Sequence, residues 1–112
     1  MRILGIDPGL TRCGVGVIEV DQRRQCQYVH VTVAQTSPAL SLPMRLNQLQ
    51  LQLEQLVQDF TPNALAIEQV FSQQNVRTAM GTAQASAVAM LIATSHNIPV
   101  VMYTPTEVKA AV

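Results

Sequence analysis

Residues 2–9 run Arg2-Ile3-Leu4-Gly5-Ile6-Asp7-Pro8-Gly9, a short apolar segment that ends in an acid and then at once in a turn. Read as a strand, it alternates its side chains between two faces, so Asp7 shares a face with Gly5 while Leu4 and Ile6 point the other way. Pro8 and Gly9 stop the strand, which leaves the carboxylate at the carboxyl edge of a sheet, where open α/β sheets carry their ligands. A carboxylate held there is costly without a cation or metal beside it. Asp next to Gly and Pro also caps its own turn, and position alone leaves both readings open.

The rest of the chain builds outward from that strand. Residues 13–20 alternate, with Val15 and Val17 on one face and Gly14 and Gly16 on the other. Residues 21–25 are polar, and 28–33 resume with Val29, Val31 and Val33 on one side, so the opening predicts a three-stranded antiparallel meander. Pro43 begins a helix on which Leu46, Leu49, Leu53, Leu56 and Phe60 form a continuous apolar stripe. Thr61 and Pro62 end it. Residues 64–67 then form a fourth apolar segment leading into Glu68, much as the first leads into Asp7. A strand reached through a helix is ordinarily parallel to an earlier one. If it lies beside the first, the two carboxylates emerge as neighbours and repel unless a proton or cation lies between them. Hard divalent ions are held by such carboxylates and water. The competing reading pairs Glu68 with Arg12 or Arg77 on the surface.

Residues 76–96 are rich in Ala and predict a long helix that can approach a sheet or a second copy of itself closely. His96 near its end complements the helix dipole, and His30 in its strand has no catalytic neighbour. Residues 100–102 form a fifth strand, and Thr104, Pro105 and Glu107 follow as a helix start with a capping box.

Composition bounds what this chain can be. At 112 residues it has the size of one domain, and 48% apolar with 12% charged residues is globular chemistry with a thinly charged surface, which implies that a partner covers part of it. The formal net charge is zero, which counts against nucleic acid as the partner. No apolar run is long enough for a bilayer and the start does not read as a secretory signal, so the expected location is cytoplasmic. A hairpin centred at Gln22 and Arg23 sets Cys26 near Glu19, leaving Cys13 out of register for a disulfide, so both cysteines are expected reduced and partly buried.

Gly5-Ile6-Asp7-Pro8-Gly9, Ala66-Ile67-Glu68-Gln69-Val70-Phe71 and Thr104-Pro105-Thr106-Glu107-Val108-Lys109 together resemble the RuvC family of Holliday junction resolvases, in the right order and at the right separations. Thr11-Arg12-Cys13-Gly14 and residues 80–85 look most like its actinobacterial members. The resemblance implies an α/β, ribonuclease-H-like fold: a five-stranded mixed sheet flanked by helices, over residues 1–112 as a single nuclease domain lacking its C-terminal helices. It implies a homodimer that cuts four-way DNA junctions in recombination and repair, alongside a branch-migration helicase complex and without a membrane. Asp7 and Glu68 match catalytic, metal-binding carboxylates. Phe71 matches an aromatic that engages junction bases, although a Phe in that position by itself more often joins the core. Lys109 matches a basic residue near the DNA.

The implied cofactor is Mg2+, with Mn2+ as a substitute, in two ions roughly 4 Å apart. The family's remaining carboxylates follow the helix that starts at Thr104, and this chain has no residues there. With two acids it is expected to hold metal weakly and not to cleave by itself. Ala85-Ser86-Ala87 also stands where many relatives are more basic. Two other readings remain: a non-catalytic remnant that dimerises or binds DNA, and an actin-like nucleotide-binding ATPase fragment, whose first strand also leads from an acid into a Gly-containing turn.

Overall fold

The computed structural model describes residues 1–69 and 75–104. Strands β1 (Arg2–Asp7), β2 (Arg12–Val20) and β3 (Cys26–Gln35) precede helix α1 (Leu42–Phe60), strand β4 (Ala64–Glu68), helix α2 (Val76–Ser95) and strand β5 (Val100–Tyr103). The five strands form one sheet in the order β3-β2-β1-β4-β5. β1 is antiparallel to β2 and β2 to β3, while β4 is parallel to β1 and β5 to β4. The meander and the parallel fourth strand are as the sequence predicts, and β4 lies against β1, which meets the condition under which the two carboxylates become neighbours.

Strand periodicity divides the sheet into two unlike faces. Leu4, Ile6, Val15, Val17, Leu65 and Ile67 are buried on one face in a common cluster with Leu49, Leu53 and Val57 of α1 and Ala85, Ala89, Ile92 and Ala93 of α2. Each fully buried Leu or Ile contributes about 1.5–3 kcal/mol, so this layer is where the fold gains its stability. The small α2 residues let that helix lie close to the sheet. On the other face, register aligns Val31, Gly16, Gly5, Ala66 and Val101 in one row across all five strands. Val31 and Val101 at its ends are more than half exposed, at 58% and 57%.

Register decides where the acids meet, and side chains at the far rim pin it. Asn63 Oδ1 accepts from the Arg2 N–H at 2.7 Å, and the Asn63 N–H donates to the Arg2 carbonyl at 2.8 Å. That clasp starts the parallel ladder Ile3↔Ala64, Leu4↔Leu65, Gly5↔Ala66, Ile6↔Ile67. A slip of one residue would turn the core side chains of β4 to the open face.

Local chemistry accounts for the element ends. α1 has Pro in its first turn and stops at Thr61, whose φ of 42° is left-handed and whose N–H closes on the Val57 carbonyl at 2.9 Å. α2 is capped by Asn75, whose Oδ1 accepts from the Thr78 N–H at 2.9 Å. Among the described residues no helix is long and apolar enough to cross a membrane.

The hairpin register is as expected, with Cys26 opposite Val20, next to Glu19, and Cys13 opposite Ala34, and its turn is set by Asp21. Its carboxylate accepts the N–H groups of Arg23 and Gln25 at 2.8 and 2.9 Å, with Arg24 left-handed between them at φ 62°. Other details depart from the sequence reading. Val29 does not share a side with Val31 and Val33. It is the extra residue of a β-bulge, between His30 paired with Val17 and Tyr28 paired with Ile18, and it packs against the core. Cys13 is fully buried and Cys26 exposed, both free. His96 caps α2 and contacts Glu54 of α1 at 2.5 Å, and His30 stacks on Phe60 with ring centroids 5.0 Å apart.

Candidate active site

One step beyond Ile6↔Ile67, β1 ends at Asp7 and β4 at Glu68, so parallel pairing carries both carboxylates to the same sheet edge. They meet there closely enough to interact with one another. Glu68 has its pKa raised first by partial desolvation, then by the negative charge of Asp7 and by the hydrogen bond between the two carboxyls. Among the described residues neither acid makes an ion pair, so the surface pairing of Glu68 with Arg12 or Arg77 is not formed.

The surroundings are built to keep this pair close and open. Gly14 is the register partner of Asp7 on β2, and a Cβ added there would lie 3.5 Å from the Asp7 Cβ, so glycine leaves the carboxylate room on that flank. Gly9 makes the turn after Asp7 tight, since a Cβ on it would stand 2.3 Å from the Arg12 carbonyl oxygen. On the other flank, Tyr103 ends β5 as the register partner of Glu68. Burial and then the charges of Glu68 and Asp7 push its phenol pKa up. A cleft of about 580 Å³ opens beside the pair, between the Asp7 turn and Thr78, Thr82 and Ser86 of α2. Beneath it, burial raises the Cys13 thiol pKa, partly countered by the Gly9 N–H, with a further rise from the charge of Asp7.

The donor set fits a hard divalent cation. Two carboxylates that disfavour joint ionisation gain from a positive charge between them, and magnesium is commonly bound by one or two carboxylates with water completing its shell. Among the described residues no cluster of three or more His, Cys, Asp or Glu is present, so Asp7 and Glu68 are the acids available here. Phe71 and Lys109 lie outside the described residues. Tyr103 was not singled out by the sequence reading. The signal was present, since it ends the third strand of the parallel set as Asp7 and Glu68 end the other two.

A mixed sheet with an antiparallel meander joined to two parallel strands, helices on one face and acids at adjacent strand ends defines the ribonuclease-H-like class. Residues 3–112 match the family described as "Crossover junction endodeoxyribonuclease RuvC". The chain belongs to the RuvC family. Over its full 112 residues it is 56% identical to the RuvC of Salinispora arenicola and 54% identical to that of Streptomyces avermitilis, covering 64% of each. It thus spans less than two thirds of the length of these curated relatives.

Among solved structures, T. thermophilus RuvC in complex with Holliday junction substrate superposes with a TM-score of 0.91 at 29% identity, over 99% of this chain and 70% of that one. The yeast mitochondrial Holliday junction resolvase shares the fold at a TM-score of 0.71 and 15% identity, over 96% of this chain and 52% of that one.

Proposed function

We propose that the protein containing this chain is an endodeoxyribonuclease that resolves four-way DNA junctions by metal-dependent phosphodiester hydrolysis, with Asp7 and Glu68 as metal-binding catalytic residues. The observation that carries the reading is the meeting of these two carboxylates at one sheet edge, with Glu68 resisting ionisation beside Asp7. Family membership and the likeness to a RuvC bound to a Holliday junction supply the substrate class.

Asp7 and Glu68 would hold magnesium, in two ions by the family resemblance and with manganese able to replace it. A divalent ion at such a site stabilises the attacking and leaving oxygens of an in-line displacement at phosphorus. The chain's own part is to fix the two carboxylates on a rigid sheet edge and to leave a cleft beside them. Phe71 would engage junction bases and Lys109 a phosphate.

A homodimer formed through α2 is part of the proposal. Val76, Met80 and Leu91 are 75%, 55% and 71% exposed on that helix, an apolar surface suited to a second copy. Partnership with a branch-migration helicase complex and residence in the cytoplasm follow from the proposed role.

The test uses the full-length protein, a synthetic four-way junction and magnesium. The wild type is expected to nick the junction and not a linear duplex of the same sequence. Asp7→Asn is expected to abolish nicking while sparing junction binding. Unimpaired nicking by that variant would overturn the assignment.

A further inference from the structure

The chain's zero net charge hides a difference in how its charges are partnered: Arg2, Arg23 and Arg24 lie at the end of the sheet that holds most of the acids, and three other arginines lie at the end that holds Asp7 and Glu68. Outside the Asp7–Glu68 pair, the described acids all lie toward the opposite end of the sheet. Glu19 pairs with the amino terminus at 3.1 Å and with Arg2 at 3.4 Å. Asp21 is consumed by its hairpin turn, Glu54 contacts His96, and Asp59 accepts from Gln55 at 2.8 Å. At the site end stand Arg12, Arg45 and Arg77, and among the described residues none of them makes an ion pair.

Arg45 is held as if waiting for an anion. Its Nε donates to Thr36 Oγ1 at 3.0 Å and its Nη2 to Thr11 Oγ1 at 2.9 Å. Thr36, 5% exposed, is itself fixed, donating from its hydroxyl to the Leu10 carbonyl at 2.6 Å while its N–H reaches the Thr11 carbonyl at 3.2 Å. Both acceptors on Arg45 are neutral hydroxyls. They orient the guanidinium without cancelling its charge, and they occupy two of its five N–H donors. Thr11 and Thr36 line a second groove of about 440 Å³ with Gln35, Ser37 and Gln48. Arg12, exposed, belongs to the walls of both this groove and the acidic cleft, so it stands between the two.

We infer that this groove is a second nucleic-acid subsite, in which Arg12 on its wall and Arg45, bonded to its wall residues Thr11 and Thr36, each take a backbone phosphate of a DNA arm leading away from the cleavage point. The inference rests on the nuclease reading above and extends it to the substrate's path. A phosphodiester chain suits the groove because its charges recur along a line, an arginine with free fork donors meets phosphate oxygens directly, and the hydroxyl and amide lining can donate to the same oxygens. Such contacts carry no sequence information. They fix the substrate's orientation at the carboxylates.

The experiment measures junction binding by the full-length protein in magnesium-free buffer, by fluorescence anisotropy over a series of salt concentrations, and junction nicking in parallel with magnesium. Each lost phosphate contact should lower the slope of log affinity against log salt by about 0.9, which at 0.1 M salt is roughly an eightfold weaker affinity. Arg12→Gln and Arg45→Gln should each do this, and the double variant should lower the slope by about twice as much, equally on junctions of different sequence. Arg45 also ties α1 to the β1–β2 turn, so its variant is compared by thermal melting. Should it fail to fold, Arg12→Gln, whose side chain makes no hydrogen bond to the described residues, decides alone.

A wild-type protein that binds and nicks junctions, with variants that keep its salt slope, would overturn the subsite and leave the nuclease reading standing. A wild-type protein that neither binds nor nicks junctions would overturn both.

Discussion

Replacing Glu68 with Gln should make the metal-free protein more stable and the magnesium-loaded protein comparatively less so. In the folded state Glu68 has a raised pKa, because burial and the adjacent Asp7 carboxylate oppose its charge. Between the ordinary carboxyl value of about 4.3 and the raised one, the folded protein therefore binds more protons than the unfolded chain, and stability falls as pH rises through that window. Two unit charges about 4 Å apart interact by about 1 kcal/mol in water and by about 4 kcal/mol at an effective dielectric of 20. Asp7 is exposed, so solvent screening puts the repulsion near the lower figure, about 1–2 kcal/mol.

Glu68→Gln should thus raise the unfolding free energy by that amount at pH 7 in EDTA, measured by urea denaturation of the full-length protein followed by circular dichroism. The gain should vanish below about pH 4, where Glu68 is protonated in both states. With millimolar magnesium the wild type should gain stability by binding an ion that the unfolded chain does not hold, and the variant should gain less. A Glu68→Gln protein that is no more stable than the wild type in EDTA, together with a wild type indifferent to magnesium, would refute the picture of two repelling acids awaiting a cation.

Two further outcomes follow from the packing around the pair. Gly9→Ala should cost about 1–3 kcal/mol in the same denaturation experiment, and should reduce nicking further by displacing the Asp7 turn, because the added methyl would meet the Arg12 carbonyl at 2.3 Å and backbone must yield. A thiol-reactive chromogenic disulfide should label exposed Cys26 rapidly and Cys13, fully buried with its pKa raised by burial, only after denaturant is added; equal rates for the two would contradict the sheet's placement of Cys13.

The strand framework was legible because period-two patterning is unambiguous where one face is buried. Leu4 with Ile6, Val15 with Val17 and Leu65 with Ile67 each mark the core face, and the acids at positions 7 and 68 fall out on the other. The β-bulge at Val29 was not legible, since Val29, Val31 and Val33 keep perfect alternation and nothing local marks where the extra residue falls. His96 reads from sequence as a helix-end charge, yet it meets Glu54 across 42 positions, a contact set by how α1 and α2 pack. Arg45 carries no signal in the helix pattern and was not singled out. Its meaning depends on Thr11 and Thr36, which three different segments bring together.

The placement of the acids also explains how a domain this small can carry a destabilising pair. Leu4 and Ile6 alternate with Gly5 and Asp7, so one short strand contributes to the core and to the site on opposite faces without either compromising the other. Repulsion between Asp7 and Glu68 acts at the strand ends, where the ladder has already closed at Ile6↔Ile67 and where the clasp of Asn63 on Arg2 holds register from the far rim. The pair cannot relax by sliding the strands, because a slip would expose Leu65 and Ile67 at a cost of about 1.5–3 kcal/mol each, more than the repulsion it would relieve. The remaining routes to relief are a proton or a cation, and at neutral pH a divalent ion neutralises both charges where a single proton neutralises one.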